Sequence, residues 1–358
     1  MTASVEPALL AAAHQRQLDR LPVWFMRQAG RSLPEYRETR AGTQMLDSCF
    51  DADMVTEITL QPVRRHLTDG AVFFSDIMAP LKAAGIDLDI VPGTGPVVAS
   101  PVRDARGLER VLAHELDPGA LGPIGRAARQ LTAALDPQVP LIGFAGAPFT
   151  LASYLVEGGP SKDHARAKAF MVGEPDLWRR LCAWLADLSF AFLAEQIAGG
   201  ARIVQLFDSW AGSLTEADYR AHVAPHSRAV LDRLPADLPR IHFGVGTTEL
   251  LPAMTEVMGE GSPAVIGVDW RTPLDVAARR VGGRAAVQGN LDPALLLAPW
   301  EVLADRVREV VRAGAGAPGH IFNLGHGVPP TTDASVLTRI VELVHTEGPA
   351  LRAEARQG

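Results

Sequence analysis

Short, nearly unbroken apolar runs alternate along this chain with longer stretches in which apolar residues recur every three or four positions. Eight runs carry the β-branched or aromatic enrichment of strands: Pro22–Met26, Ala71–Phe74, Pro140–Phe144, Ile203–Phe207, Arg240–Phe243, Ala264–Val268, Ala285–Val287 and His320–Asn323. Between most of them lie amphipathic helical stretches, among them Leu177–Ile197, Ala217–Leu234 and Trp300–Arg312. Strands that read as continuously apolar are buried on both faces, the pattern of a parallel sheet covered by helices. Eight strand–helix units predict one closed (β/α)8 TIM barrel over residues 1–358, with a helical N-terminal extension over residues 1–20 in which Glu6–Arg20 is a short helix. No linker marks a second domain. Gly259–Pro263 and Ala313–Gly319 read as helix-to-strand loops, and the longest insertion carries a Gly/Pro-rich segment, Val91–Pro96, expected as a hairpin or lid-like loop.

The residues that follow each run carry the chemistry. The first run ends in Arg27-Gln28-Ala29-Gly30-Arg31, the second in Ser75-Asp76, the third in Gly143–Pro148 and the fourth in Asp208-Ser209. The sixth ends in Asp269, the seventh in Asn290–Asp292 and the eighth in Gly325-His326-Gly327. Barrel enzymes assemble their sites on this carboxyl-end face. Asp and Ser after a strand also cap helices, and Asp269 and Asp292, each leading into a Pro-containing helix start, are read as caps. Capping does not explain Arg27, Tyr154 or His326. Two guanidinium groups at a strand tip suit carboxylates, because arginine presents a planar fork of donors. Consecutive backbone N–H groups at Ala29-Gly30 can add an anion-binding concavity. By contrast Arg64-Arg65 and Arg279-Arg280 read as solvated helix pairs.

Composition narrows the ligand. The chain has 358 residues, is 47% hydrophobic and 21% charged, and carries a formal charge of −7, so a broad basic surface for nucleic acid or anionic membrane is not expected. Any anionic ligand must be met by a local cluster of positive groups. The two cysteines, Cys49 and Cys182, are too few for a disulfide framework or a thiolate zinc site and fit a reducing compartment. The apolar run Ala8–Ala13 lacks the basic flank of a signal peptide, and no segment is expected to reach membrane-spanning length, which together predict a soluble cytoplasmic protein. Neither a phosphate-binding G-x-x-x-x-G-K-[ST] loop, a G-x-G-x-x-G after a strand, nor HExxH is present. The three lysines, Lys82, Lys162 and Lys168, do not fall at strand tips, where a Schiff-base enzyme needs one. The expected chemistry runs on Arg, Asp, Tyr, Ser and His, with no cofactor and no metal.

The segment PVWFMRQAGR (Pro22–Arg31), followed by Leu33–Tyr36 and Arg37–Arg40, resembles the signature of the uroporphyrinogen decarboxylase family. Five later segments match it in order: Phe73–Pro80, Gly143–Gly159, Phe207–Gly212, Gln288–Pro293 and Phe322–Gly327. Ser32, where an aromatic residue is common, and Pro160, where a glycine is common, depart from the pattern, and Ile241–Thr248 matches loosely. The resemblance implies a single (β/α)8 barrel working as a homodimer without metal or organic cofactor, acting on a tetrapyrrole and not on nucleic acid or membrane. It implies removal of carbon dioxide from the four acetate arms of uroporphyrinogen to give coproporphyrinogen. The family's substrate-binding stretch falls on Arg27, Gln28, Ala29, Gly30 and Arg31. Its pyrrole-binding aspartate falls on Asp76, its tyrosine on Tyr154, its serine on Ser209 and its histidine on His326.

The chemistry asks for such residues. Uroporphyrinogen carries eight carboxylates, which Arg27 and Arg31 would meet, with Arg40 as a further candidate. Loss of carbon dioxide leaves an electron pair that needs a sink, and a protonated pyrrole ring supplies one without pyridoxal or thiamine. A carboxylate facing the pyrrole N–H groups, Asp76, would stabilise that cation. The proton donor is left as an arginine near the scissile acetate, Arg27, or a water that it orients. Position alone leaves Ser209 as a carboxylate donor or a turn bond, and His326 as a substrate contact or a structural histidine. Two rivals remain: a zinc-dependent methyltransferase on the same barrel, and a non-catalytic tetrapyrrole carrier.

Overall fold

A computed structural model of the chain describes residues 6–117 and 119–357, so the first five residues of the expected N-terminal extension lie outside the described residues. Among the described residues nine strands occur in chain order: β1 (Ala71–Val72), β2 (Leu88–Val91), β3 (Gly95–Val98), β4 (Leu141–Gly146), β5 (Ile203–Asp208), β6 (Arg240–Gly244), β7 (Ala264–Gly267), β8 (Ala286–Leu291) and β9 (His320–Leu324). Seven of them form one curled parallel sheet in the order β1-β4-β5-β6-β7-β8-β9. Its register runs through Ala71↔Leu141, Ile142↔Ile203, Val204↔Arg240, Arg240↔Ala264, Val265↔Ala286 and Val287↔His320. Residues of these strands are buried almost without a break, as their continuous apolar character predicts. The remaining pair, β2 and β3, is an antiparallel hairpin closed around Gly93, so the Gly/Pro-rich insertion is the expected hairpin.

The first apolar run departs from expectation. Val23 makes a single parallel bridge to Phe322, and Pro22–Met26 is not a strand of the ladder. The reason lies in its neighbours. On the β9 side Phe322 N–H donates to Pro22 O and Trp24 N–H to Phe322 O, at 2.9 and 3.3 Å. On the β1 side a strand is replaced by Asp69 and Gln28: Val23 N–H donates to Asp69 Oδ2 (2.7 Å), Asp69 N–H donates back to Val23 O (2.8 Å) and Phe25 N–H donates to Gln28 Oε1 (3.0 Å). Met26 N–H donates to Asn323 Oδ1 at 3.0 Å. The run still alternates like a strand. Trp24 and Met26 join the main core, where Trp24 Nε1–H donates to Gln288 Oε1 and Gln288 Nε2–H to Gln205 Oε1. Val23 and Phe25 face outward into a second apolar layer with Leu303, Val307, Leu337 and Val344.

Other boundaries moved for local reasons. The N-terminal helix spans Ala8–Ala13, not Glu6–Arg20, because Gln15 takes a left-handed conformation (φ 57°). The expected helix Ala217–Leu234 is two helices, Glu216–His222 and Ala224–Leu231, with Pro225 in the first turn of the second. The helix Pro175–Ala198 corrects the expectation about membrane-spanning length: it is long and apolar enough to cross a membrane by length and composition. It packs instead against β4 and the helices Gly122–Ala134 and Pro148–Glu157, burying Leu181, Leu185, Phe192 and Leu193. Asp292 caps the turn Pro293–Leu297, as expected, by accepting Ala294 N–H. Asp269 is no helix cap. Its carboxylate accepts Gly246 N–H at 2.6 Å and Arg271 N–H at 3.1 Å, tying the loops after β6 and β7 together.

Candidate active site

Arg27, Asp76, Tyr154 and His326 come within reach of one another's charge beside the carboxyl ends of the strands. Arg27 leaves the first run in a left-handed conformation (φ 60°). That turn is fixed by Gln28, whose N–H donates to Phe25 O and whose buried side chain donates to Gly70 O at 3.0 Å. Gln28 is thus committed to backbone partners and does not present its amide to a ligand. The clamp turns Arg27 outward, and its side chain lies across Gly327 so closely that a β-carbon there would collide with it. On the other side of the same loop, Gly325 sits against the backbone of Trp270 with no room for a side chain. His326, between these glycines, meets the Trp270 ring edge-on at 6.3 Å. Burial lowers the His326 imidazole to about 4, with Arg27 adding to the effect, so it is a neutral group near pH 7.

Asp76 follows β1 in a tight turn. Its Oδ1 accepts Met78 N–H at 2.9 Å and its carbonyl accepts Ala79 N–H at 3.0 Å. Burial pushes its carboxyl above the ordinary carboxylate value, while the Met78 hydrogen bond and the Arg27 charge oppose that rise. Tyr154 projects from the helix Pro148–Glu157. Its phenol is raised to about 12 by burial and by the Asp76 charge, with Arg27 again opposing. Arg27, Asp76 and Tyr154 therefore lie within reach of one another's charge. The Cys49 thiol, behind Asp76, is raised to about 12 by burial and then by that carboxylate, and stays protonated.

Ser209 follows β5, and its hydroxyl has no hydrogen-bond partner among the described residues. The next residue, Trp210, stacks on Tyr154 at 4.0 Å between ring centroids and on His164 at 4.3 Å. Its N–H donates to Thr150 Oγ1, which in turn donates to buried Asp208 at 3.0 Å. Ala29 and Gly30 are half-buried, and the Arg31 side chain is exposed. The Arg40 guanidinium donates to Tyr36 Oη and Thr43 O, both at 3.0 Å, while its buried Nε has no partner and its charge reaches Cys49. Among the described residues no group of three His, Cys, Asp or Glu side chains could hold a metal ion. A surface hollow lined by Asp47, Asp51, Asp53, Arg126 and Gln130 lies elsewhere and has the wrong sign for a polyanion.

Sequence reading missed Trp210, Trp270 and Arg271. The last two were hidden by treating Asp269 as a cap, although an aromatic residue and an arginine directly after a strand tip were visible. Arg271 donates from Nη1 to Asp269 Oδ2 at 2.6 Å and lies over the Trp270 ring at 4.1 Å.

Comparison with known proteins follows the same direction. The family described as uroporphyrinogen decarboxylase (URO-D) matches residues 5–347. A uroporphyrinogen decarboxylase from Salinispora tropica is 61% identical over 325 residues, covering 90% of this chain and 86% of the relative. One from Frankia casuarinae is 60% identical over 336 residues, covering 94% and 89%. Among solved structures, a methyltransferase from Methanosarcina mazei superposes with a TM-score of 0.77 over 97% of both chains, at 17% identity. That likeness is one of fold alone.

Proposed function

The chain belongs to the uroporphyrinogen decarboxylase family, and on that premise we propose how its cleft acts. Its reaction is the removal of carbon dioxide from the four acetate arms of uroporphyrinogen III, giving coproporphyrinogen III on the way to haem. It is a carboxy-lyase. The observation that carries the mechanism is the placing of one half-buried carboxylate, Asp76, in the field of Arg27 and beside Tyr154.

In this reading Asp76 accepts hydrogen bonds from the pyrrole N–H groups and holds the macrocycle around itself. Arg27, or a water it orients, delivers a proton to the pyrrole carbon beside the acetate arm. The resulting cationic ring takes the electron pair as the bond to the carboxyl carbon breaks and carbon dioxide departs. A second proton, on the exocyclic carbon left behind, produces the methyl group, and loss of the added ring proton restores the pyrrole. Asp76 lowers the energy of the cation most where water is sparse, and this term is the largest the protein supplies. An arginine with a pKa above 12 is a weak acid, and a water it orients passes on a proton only as the guanidinium charge stabilises the hydroxide left behind. Arg31, the Ala29-Gly30 backbone, Tyr154, Ser209 and His326 contact substrate carboxylates. Neutral His326 does so as a hydrogen-bond donor.

The same reading gives Pro22–Met26 the role of eighth stave in a closed (β/α)8 barrel, forming one domain over residues 1–358, because its side chains alternate inward and outward like those of its neighbours. It also gives a cytoplasmic homodimer that needs no cofactor or metal, as the family resemblance implies. Replacing Asp76 with Asn keeps the shape and removes the charge. Coproporphyrinogen formation under anaerobic conditions is expected to fall by about 10³, with substrate binding changed by less than about tenfold. A near-normal rate removes Asp76 from the mechanism. Stoichiometric zinc with thiol methylation would support the methyltransferase rival, and tight porphyrinogen binding without carbon dioxide release would support a carrier.

A further inference from the structure

Arg271 stands at the rim of this cleft with half of its side chain exposed (52%) and one edge of its guanidinium free. The Trp270 ring supports one face at 4.1 Å, and Nη1 is anchored on Asp269 Oδ2 at 2.6 Å. Nε and Nη2 have no partner among the described residues. Asp269 is buried and fully engaged, since it also accepts two backbone N–H groups, from Gly246 and from Arg271 itself. The fork is therefore held in one orientation before any ligand arrives, which limits the ordering cost of binding.

Its surroundings point to an anion. The loop Gly325–Gly327 is squeezed between Arg27 on one side and Trp270 on the other, so the two arginines flank His326. Arg40 holds Tyr36 and Thr43 through Nη1 and Nη2, which leaves only its buried Nε without a partner. A ligand with eight carboxylates needs more positive groups than Arg27 and Arg31 supply.

We propose that Arg271 binds a propionate carboxylate of the tetrapyrrole at the rim of the cleft, an inference that rests on the uroporphyrinogen decarboxylase reading of this site. A propionate is favoured over an acetate by position. The reacting acetate must lie beside Asp76, where water is sparse, whereas Arg271 is half exposed on the far side of His326 from Arg27. Propionates also survive all four decarboxylations. The contact is then equal in substrate, intermediates, transition states and product, so it strengthens binding without accelerating the chemical step.

The test is a comparison of Arg271→Gln and Arg271→Lys with the unaltered enzyme under anaerobic conditions. For Arg271→Gln the KM for uroporphyrinogen and the inhibition constant of coproporphyrinogen should rise together by about tenfold. The kcat should change by less than about twofold. Lysine, a cation without the fork, should recover part of the loss. If both constants stay unchanged, the proposal is overturned. If KM rises while product inhibition does not, the partner is an acetate and the propionate assignment is wrong. Should the Gln variant fail to fold, phenylglyoxal modification of the unaltered enzyme decides: coproporphyrinogen is expected to shield Arg271, and equal labelling with and without it overturns the proposal. An unaltered enzyme that releases no carbon dioxide would instead count against the underlying reading, while the shielding result would still report on Arg271.

Discussion

Arg27 shows how much of a site depends on residues that carry no functional group. It reaches the cleft only because Gln28 clamps the turn from behind and Gly327 leaves space in front. Replacing Gly327 with Ala puts a methyl group where the Arg27 side chain lies. Turnover should drop by roughly 10–100-fold from misplacement of one cationic group, with the thermal midpoint nearly unchanged; unaltered kinetics would show that Arg27 tolerates displacement. The motif marked Arg27, Asp76, Tyr154, Ser209 and His326 in the sequence, and the structure sets Arg27 after the first apolar run, Asp76, Ser209 and His326 after β1, β5 and β9, and Tyr154 on the helix after β4. Gln28 was placed in the right segment, but its clamp on the turn was not read. Its backbone partners lie both within its own turn and at Gly70, across the seam to β1, and spacing along the chain does not reveal the latter. Asp269 was misjudged for the same reason, since Gly246 is distant in sequence.

At the scale of elements, strands buried on both faces were readable because continuous apolar character leaves few alternatives. The first run was not fully readable. Among the described strands it pairs by backbone only with β9, at Phe322, and on the β1 side its hydrogen bonds end on Asp69 and on the Gln28 side chain and not on a neighbouring strand. Asp69 is the centre of this seam: buried, it accepts Val23 N–H and His345 Nε2–H, both at 2.7 Å, and pairs with Arg20. Asp69→Ala leaves the buried Val23 N–H without a partner. A loss of roughly 3 kcal/mol is expected, read as a lower urea midpoint with unchanged slope. A midpoint within experimental scatter of the unaltered protein would mean that the seam is held elsewhere. The split at Pro225 was missed within Ala217–Leu234, although a proline belongs in a helix's first turn and not in its interior.

For the whole molecule, buried neutral histidines set the response to acid. Burial lowers His66 and His326 to about 4 and His320 to about 3, against an ordinary value of 6.5. Between those values the unfolded chain binds more protons than the folded one, so stability is full above about pH 6.5 and is lost as pH falls toward 4. Asp76, raised by burial, acts in the opposite sense, but it is one group against three. The thermal midpoint should decline steadily from about pH 6.5 to about pH 4.5, and a flat profile across that range would contradict these assignments. Function at this scale is a single conversion by a chain that is acidic overall and cationic at one mouth. Its most direct test is anaerobic incubation of the purified protein, in the presence of a chelator and with no added cofactor, with uroporphyrinogen III. The account predicts coproporphyrinogen III and about four molecules of carbon dioxide for each substrate consumed; recovery of unreacted substrate from well-folded protein would contradict it.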